Sequence, residues 1–114
     1  MTLGQKQRLF VRNISLLIQY AYTIGYELSF AEAYRTPEQA KLNAKKGSGI
    51  SNSLHISRLA IDLNLFRDGK YLTKTSDHAQ LGAFWQSIHK DNRWGGDFKQ
   101  PDGNHYSMTY GGRA

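Results

Sequence analysis

The order of elements legible along this sequence, a helix, a strand, a second helix, a hairpin, a third helix and closing strands, is that of an α+β domain. Three observations carry that expectation. Apolar residues recur at three- and four-residue steps near the start, Leu59 to Phe66 alternate with period two, and a second helical stripe runs between Ser76 and His89.

Thr2 to Ile24 is predicted as an amphipathic helix. Phe10, Ile14, Leu17 and Ala21 form its apolar stripe, and Thr2 with Gln5 resembles a capping box. Gly25 supplies the stop, and Tyr26 to Tyr34 is expected as a strand leading toward a site. Thr36-Pro37-Glu38-Gln39 is a helix start, with a hydroxyl at the N-cap, proline at the first helical position and glutamine at N3, so a short helix should run to about Lys46. Gly47-Ser48-Gly49 ends it, and Ser51-Asn52-Ser53 keeps the chain irregular up to Leu54.

In the alternating segment, Leu59, Ile61, Leu63 and Leu65 make one apolar face, and Asp62 points away from it. Asp68-Gly69 is a hairpin turn signal, with Lys70-Tyr71-Leu72 returning as a short partner strand. A helix with Ser76 as N-cap should then bury Leu81, Phe84, Trp85 and Ile88 and carry His78 and His89. From Trp94-Gly95-Gly96 onward, glycines, aromatics and Pro101 predict a strand, a loop and a last strand around His105.

With 114 residues the chain fits one domain spanning 1–114. Its 39% hydrophobic content, with two Trp, seven Tyr and five Phe, argues against disorder. There is no cysteine, which excludes disulfides, thiolate metal clusters and a Cys nucleophile and leaves imidazole and carboxylate as strong metal ligands. The apolar stretch Ile14 to Tyr22 is broken by Ser15 and Gln19, too short to span a bilayer and without a cleavage site, so neither membrane insertion nor a signal peptide is expected. The net charge of +6 favours an anionic partner. The basic residues are scattered, without an Arg-rich run or a basic helical stripe, which argues against nucleic acid.

Of the four histidines, His55 and His105 lie in loop or strand-edge positions beside acidic residues. His55, Asp62 and His105 make a catalytic zinc set, because zinc accepts imidazole nitrogen and carboxylate oxygen and leaves a fourth position open. His55 and Asp62 are seven positions apart, so a continuous strand would aim them at opposite faces and an irregular segment must follow His55. Asp62 alone also suits the solvated side of an amphipathic strand. Asp102, three residues before His105, stands where a general base would, although Pro101-Asp102-Gly103-Asn104 is equally a good turn. Arg35, at the junction of a strand and a helix cap, suits a carboxylate clamp or a carbonyl polariser, or a solvated surface role.

Taken in order, these motifs resemble the zinc D-alanyl-D-alanine carboxypeptidase and L-alanyl-D-glutamate endopeptidase family, in particular its small phage endolysin branch. Tyr34-Arg35-Thr36-Pro37-Glu38-Gln39 is similar to the family's arginine motif, Ser53 to Asp62 to its S-x-H-x(6)-D ligand motif, and Trp94 to His105 to its closing segment. The resemblance implies a small antiparallel sheet with helices packed on one face, the hedgehog and D,D-peptidase-like fold. It also implies Zn2+ on His55, Asp62 and His105, Asp102 as catalytic base, Arg35 as a substrate-binding or transition-state residue and Ser53 as a supporting substrate contact. Two departures stand out. Arg58 replaces a glycine common after the first ligand, which bears on cleft shape, and Asp102 replaces the glutamate of the carboxypeptidase and dipeptidase branches.

The expected activity is hydrolysis of an amide in the peptide stem of peptidoglycan, an L-alanyl-D-glutamate bond first, with D-alanyl-D-alanine carboxypeptidase or dipeptidase activity as the alternative. From another class, a non-catalytic metal-binding or nucleic-acid-binding module remains the rival. The enzyme is expected to be a monomer made in the cytoplasm, adsorbed to the anionic cell wall by its charge and dependent on a separate pore-forming protein to reach it.

Overall fold

The computed structural model describes residues 1–46 and 53–114, so the loop expected over Gly47 to Asn52 lies outside the described residues. Helix α1, Leu3–Thr23, begins on the expected capping box: the Thr2 hydroxyl accepts from the Gln5 N–H, and the Gln5 side chain accepts from the Thr2 N–H. It ends where Gly25 takes φ +93. Its stripe of Phe10, Ile14, Leu17 and Ala21 is buried, each large side chain removed from water contributing about 1.5–3 kcal/mol.

Strand β1, Glu27–Phe30, is shorter than the predicted Tyr26 to Tyr34. Beyond Phe30 the chain keeps only the Ala31 N–H to Asp62 O and Asp62 N–H to Glu32 O bonds, and Arg35 N–H then turns to the carbonyl of His55. The segment leaves the ladder to serve the His55 turn. Helix α2, Pro37–Lys45, starts at the Thr36 cap, whose hydroxyl accepts from Gln39 N–H.

Strand β2, Ala60–Arg67, is the centre of the sheet and alternates as expected, with Ile61, Leu63 and Leu65 buried and Asp62 and Asn64 half-buried. Asp68 at φ 52 and Gly69 at φ 75 form the two-residue turn into β3, Lys70–Leu72. Strands β4, Asn92–Trp94, and β5, His105–Met108, complete an antiparallel sheet of order β1-β2-β5-β4, with β3 also on β2. Because β1 occupies one edge of β2, β5 at Ala60 to Asp62 and β3 at Leu65 to Arg67 share the other.

The third helix departs from its expected start. Thr75–His78 form a 3-10 turn and α3 spans only Ala79–Ser87, so His78 precedes the helix and His89 follows it. Ser76 is not the cap: the Asp77 carboxylate accepts from Lys74 N–H, while Asp77 N–H closes the turn on the Lys74 carbonyl. Helices α1 and α3 cover the apolar face of the sheet, where Phe10 meets Trp85 edge-on and Trp85 meets Tyr106 in the same way. The buried Trp85 N–H is satisfied by the carbonyls of Arg93 and Ser107. Among the described residues no helix is long and apolar enough to cross a membrane.

Candidate active site

Asp62 lies mid-sheet on the face opposite the core, in register with His105 across the β2–β5 pair. His105 is the first residue of β5, so its imidazole projects on the same side as the Asp62 carboxylate. His55 arrives differently. Ile56, Ser57 and Arg58 donate backbone N–H bonds to the carbonyls of Ser53, Leu54 and His55, a tight turn that supplies the irregular segment required between His55 and Asp62. The turn closes with Arg58 at φ 56, a left-handed conformation that glycine adopts most easily. Arg58 occupies the position through its side chain, stacked over Tyr34 at 4.0 Å. It is not among the residues lining the cleft, so it acts on the turn rather than on the cleft wall.

The three groups meet on one oxygen. His55 Nε2 is 3.4 Å and His105 Nδ1 3.3 Å from Asp62 Oδ1, and the three candidate ligand atoms all lie within 4.8 Å of one another. His55 Nδ1 is 3.1 Å from the Ala33 carbonyl, which can only accept, so this nitrogen carries the proton and Nε2 turns a lone pair on the carboxylate. An acceptor facing an acceptor calls for a proton or a cation between them. Two ligand atoms on a tetrahedral zinc sit roughly 3.3 Å apart, given metal–ligand distances of about 2.0–2.1 Å. The spacing and the donor chemistry therefore fit a divalent metal.

The electrostatics agree. Burial opposes a charge on His55, but the hydrogen bond and charge of Asp62, the Ala33 carbonyl and Glu32 outweigh it and raise its pKa. Burial likewise opposes ionisation of Asp62, yet the hydrogen bonds and charges of His105 and His55 bring it down to about 2. Asp102 goes the other way: burial and the neighbouring Asp62 charge raise its pKa against the pull of His105 and His55.

Asp102 lies on the rim of the same cleft, a space of about 670 Å³ that also includes Arg35, Ser53, His55, Asp62 and His105. It belongs to a turn as well, since its carbonyl accepts from His105 N–H and its own N–H reaches the Gly95 carbonyl. The turn is pressed into place. A Cβ on Gly95 would lie 2.1 Å from the Asp102 oxygen, and one on Gly103 would lie 2.6 Å from Thr75 Cα. Trp94 packs its ring where Cβ atoms on Gly82 and Gly96 would stand, and its N–H holds the Gly103 carbonyl at 2.7 Å. The Trp-Gly-Gly motif thus ties α3 to the loop bearing Asp102.

The Ser53 hydroxyl accepts from His55 N–H at 3.2 Å, so it shapes the His55 turn from within the cleft wall. Arg35 pairs with Glu32, and its buried Nε has no protein partner among the described residues. Glu32 was missed by the sequence reading, although its carboxylate is 3.6 Å from His55 Nε2; an acid three residues before the arginine was the available signal. Phe98, whose ring lies 5.4 Å from that of His105, and the cleft cations Lys99 and Arg113 carried no local signal.

The comparisons with known proteins place this fold and its His-Asp-His cluster in a peptidase family. The family model described as D-alanyl-D-alanine carboxypeptidase, Peptidase M15, matches residues 46–108, more than half of the chain, and the chain belongs to that peptidase family. Among solved structures it is similar to the L-Ala D-Glu endopeptidase ChiX of Serratia marcescens, with a TM-score of 0.75 and 22% identity over 93% of this chain and 85% of that one. No curated protein matches. The expected α+β fold, a small antiparallel sheet with helices on one face, is the fold observed.

Proposed function

We propose that this chain is a zinc-dependent peptidoglycan peptidase, a single catalytic domain that hydrolyses an L-alanyl-D-glutamate bond in the peptide stem. The observation that carries the reading is the convergence of His55, Asp62 and His105 on one point in a cleft rimmed by Asp102 and Arg35. His55, Asp62 and His105 would hold the zinc, which would supply Lewis acidity toward the scissile carbonyl and lower the pKa of a water. The Ala33 carbonyl keeps His55 in the tautomer that leaves Nε2 free. Asp102, in the wall of the same cleft, takes a proton from the attacking water and passes it to the leaving amine. Arg35, anchored by Glu32, retains donors for a substrate carboxylate or for the carbonyl oxygen.

An aspartate at 102 favours the endopeptidase over the alternative, D-alanyl-D-alanine carboxypeptidase or dipeptidase, which the description of the matched family keeps in view. The wider reading is a phage endolysin-like, bacteriolytic monomer whose net charge of +6 promotes adsorption to the wall and which relies on a separate pore-forming protein for passage. Mass spectrometry of purified muropeptides digested by the zinc-loaded protein identifies the bond. Release of D-alanine without an L-alanyl–D-glutamate cut would make it a carboxypeptidase. His105→Ala is expected to lose both zinc and wall lysis, and a variant that kept zinc would remove His105 from the ligand set.

A further inference from the structure

Along β2 the shared edge is paired by β5 up to Asp62 and by β3 from Leu65. Between them the sheet has a notch of about 240 Å³, floored by Leu63 and Asn64 and backed by the 3-10 turn, and it meets the main cleft at Pro101 and Asp102. We propose that this notch is the second compartment of the substrate cleft and takes the uncharged N-acyl group on the amino side of the scissile amide. This rests on the peptidase reading above and adds the direction in which substrate lies.

Charge sets that direction. The main cleft carries Arg35, Lys99 and Arg113, whereas no lysine or arginine lines the notch among the described residues. His78, which does line it, is buried and its pKa is lowered, chiefly by that burial against the pull of Asp77, so it is a neutral ring near pH 7. In a peptide stem the free carboxylates follow the proposed bond, while the alanine before it is capped by a neutral acyl amide. Carboxylates therefore belong with the cations and the acyl amide with the notch, which places the scissile bond beside Asp102 at the boundary.

The notch is built to read an amide. Asn64 presents its carboxamide from the same face of β2 as Asp62, held by the Ser29 hydroxyl at 3.2 Å and by the Tyr71 hydroxyl at 3.4 Å. Each of its two polar atoms keeps further capacity for a ligand. His78 Nδ1 is committed to the Tyr106 hydroxyl at 2.8 Å, which fixes the ring in the wall, and Thr73 and Thr75 add hydroxyl-bearing side chains to the lining.

The test uses the zinc-loaded protein, with L-alanyl-γ-D-glutamyl-L-lysine whose amino group is lactylated or free, and N-lactyl-L-alanine amide as a probe that is not cleaved. Asn64→Leu and Thr73→Val are expected to raise KM for the lactylated peptide about tenfold, the worth of one or two lost hydrogen bonds. Expected kcat stays within about twofold, and cleavage of the free-amine peptide is unchanged. In the wild type the probe shifts the Asn64 side-chain amide resonances, and both variants weaken its binding. Cleavage with no shift at Asn64 and no change in KM overturns the notch alone. Probe binding at Asn64 without any cleavage overturns the peptidase reading alone, and absence of both overturns both.

Discussion

His55 and His78 are each 3% exposed, yet the protein drives them in opposite directions. Burial works against the charged form of both. At His55 a carboxylate, Asp62, lies 3.4 Å from the ring and, with the Ala33 carbonyl and Glu32, reverses the sign, whereas His78 faces the hydroxyl of Tyr106, itself held neutral by burial that raises its pKa, and the charge of Asp77 does not outweigh its burial. A buried imidazole becomes a candidate metal ligand through the charge placed opposite it. Without that charge it is a neutral wall.

The largest expected effect comes from removing the charge. Asp62→Asn keeps the shape of the strand but takes away the oxygen on which both imidazoles converge. Zinc affinity should fall by more than the roughly 10–100-fold lost when an outer partner of a metal site is removed. Hydrolysis should fall with it. Metal content after dialysis and muropeptide turnover measure the two; retention of stoichiometric zinc would show that Asp62 does not hold the metal.

Asp102→Ala comes next, because it leaves the cluster intact. Zinc content should be unchanged while kcat drops about 10²–10⁴-fold, the usual worth of a positioned proton carrier. In the metal-free protein, burial and the neighbouring Asp62 charge should make Asp102 titrate above the ordinary carboxylate value of 3.8, which its side-chain carboxyl carbon resonance followed against pH measures. Full wall lysis by the variant would remove Asp102 from the chemistry.

The two halves of the site were unequally legible. His55, Asp62 and His105 could be picked out by residue type, and the period-two pattern around Asp62 correctly aimed it away from the core. The capping residues Thr2, Gln5, Thr36 and Gln39 marked both helix starts, since a cap is a contact within three positions. What escaped is what depends on distant chain. Glu32 leaves its strand because Arg35 N–H bonds the His55 carbonyl, and His78 stays out of α3 in a 3-10 turn next to a tyrosine 28 positions away. No local period encodes either contact.

Gly95→Ala probes how the loop is held, with a smaller effect. The added methyl meets the Asp102 carbonyl and His105 Cβ, so backbone must move, and stability should drop by about 1–3 kcal/mol as for other overpacked sites. Turnover should decline further than zinc affinity, because the loop carrying Asp102 yields before the paired strands that carry Asp62 and His105. Equal losses in both would show that the cluster and the loop move as one.

The smallest effect isolates His78. Its folded pKa lies below the ordinary value of 6.5, so the unfolded chain binds the proton first. Its contribution to stability is therefore complete above pH 6.5 and declines as pH falls through that value toward the lowered folded pKa. His78→Gln removes the titration while its carboxamide still offers the Tyr106 hydroxyl a partner. Urea midpoints of the two proteins should differ by one amount at pH 8 and shift in favour of the variant by pH 5. A difference that stayed constant across that range would mean that His78 is as basic folded as unfolded, and that burial does not hold its ring neutral.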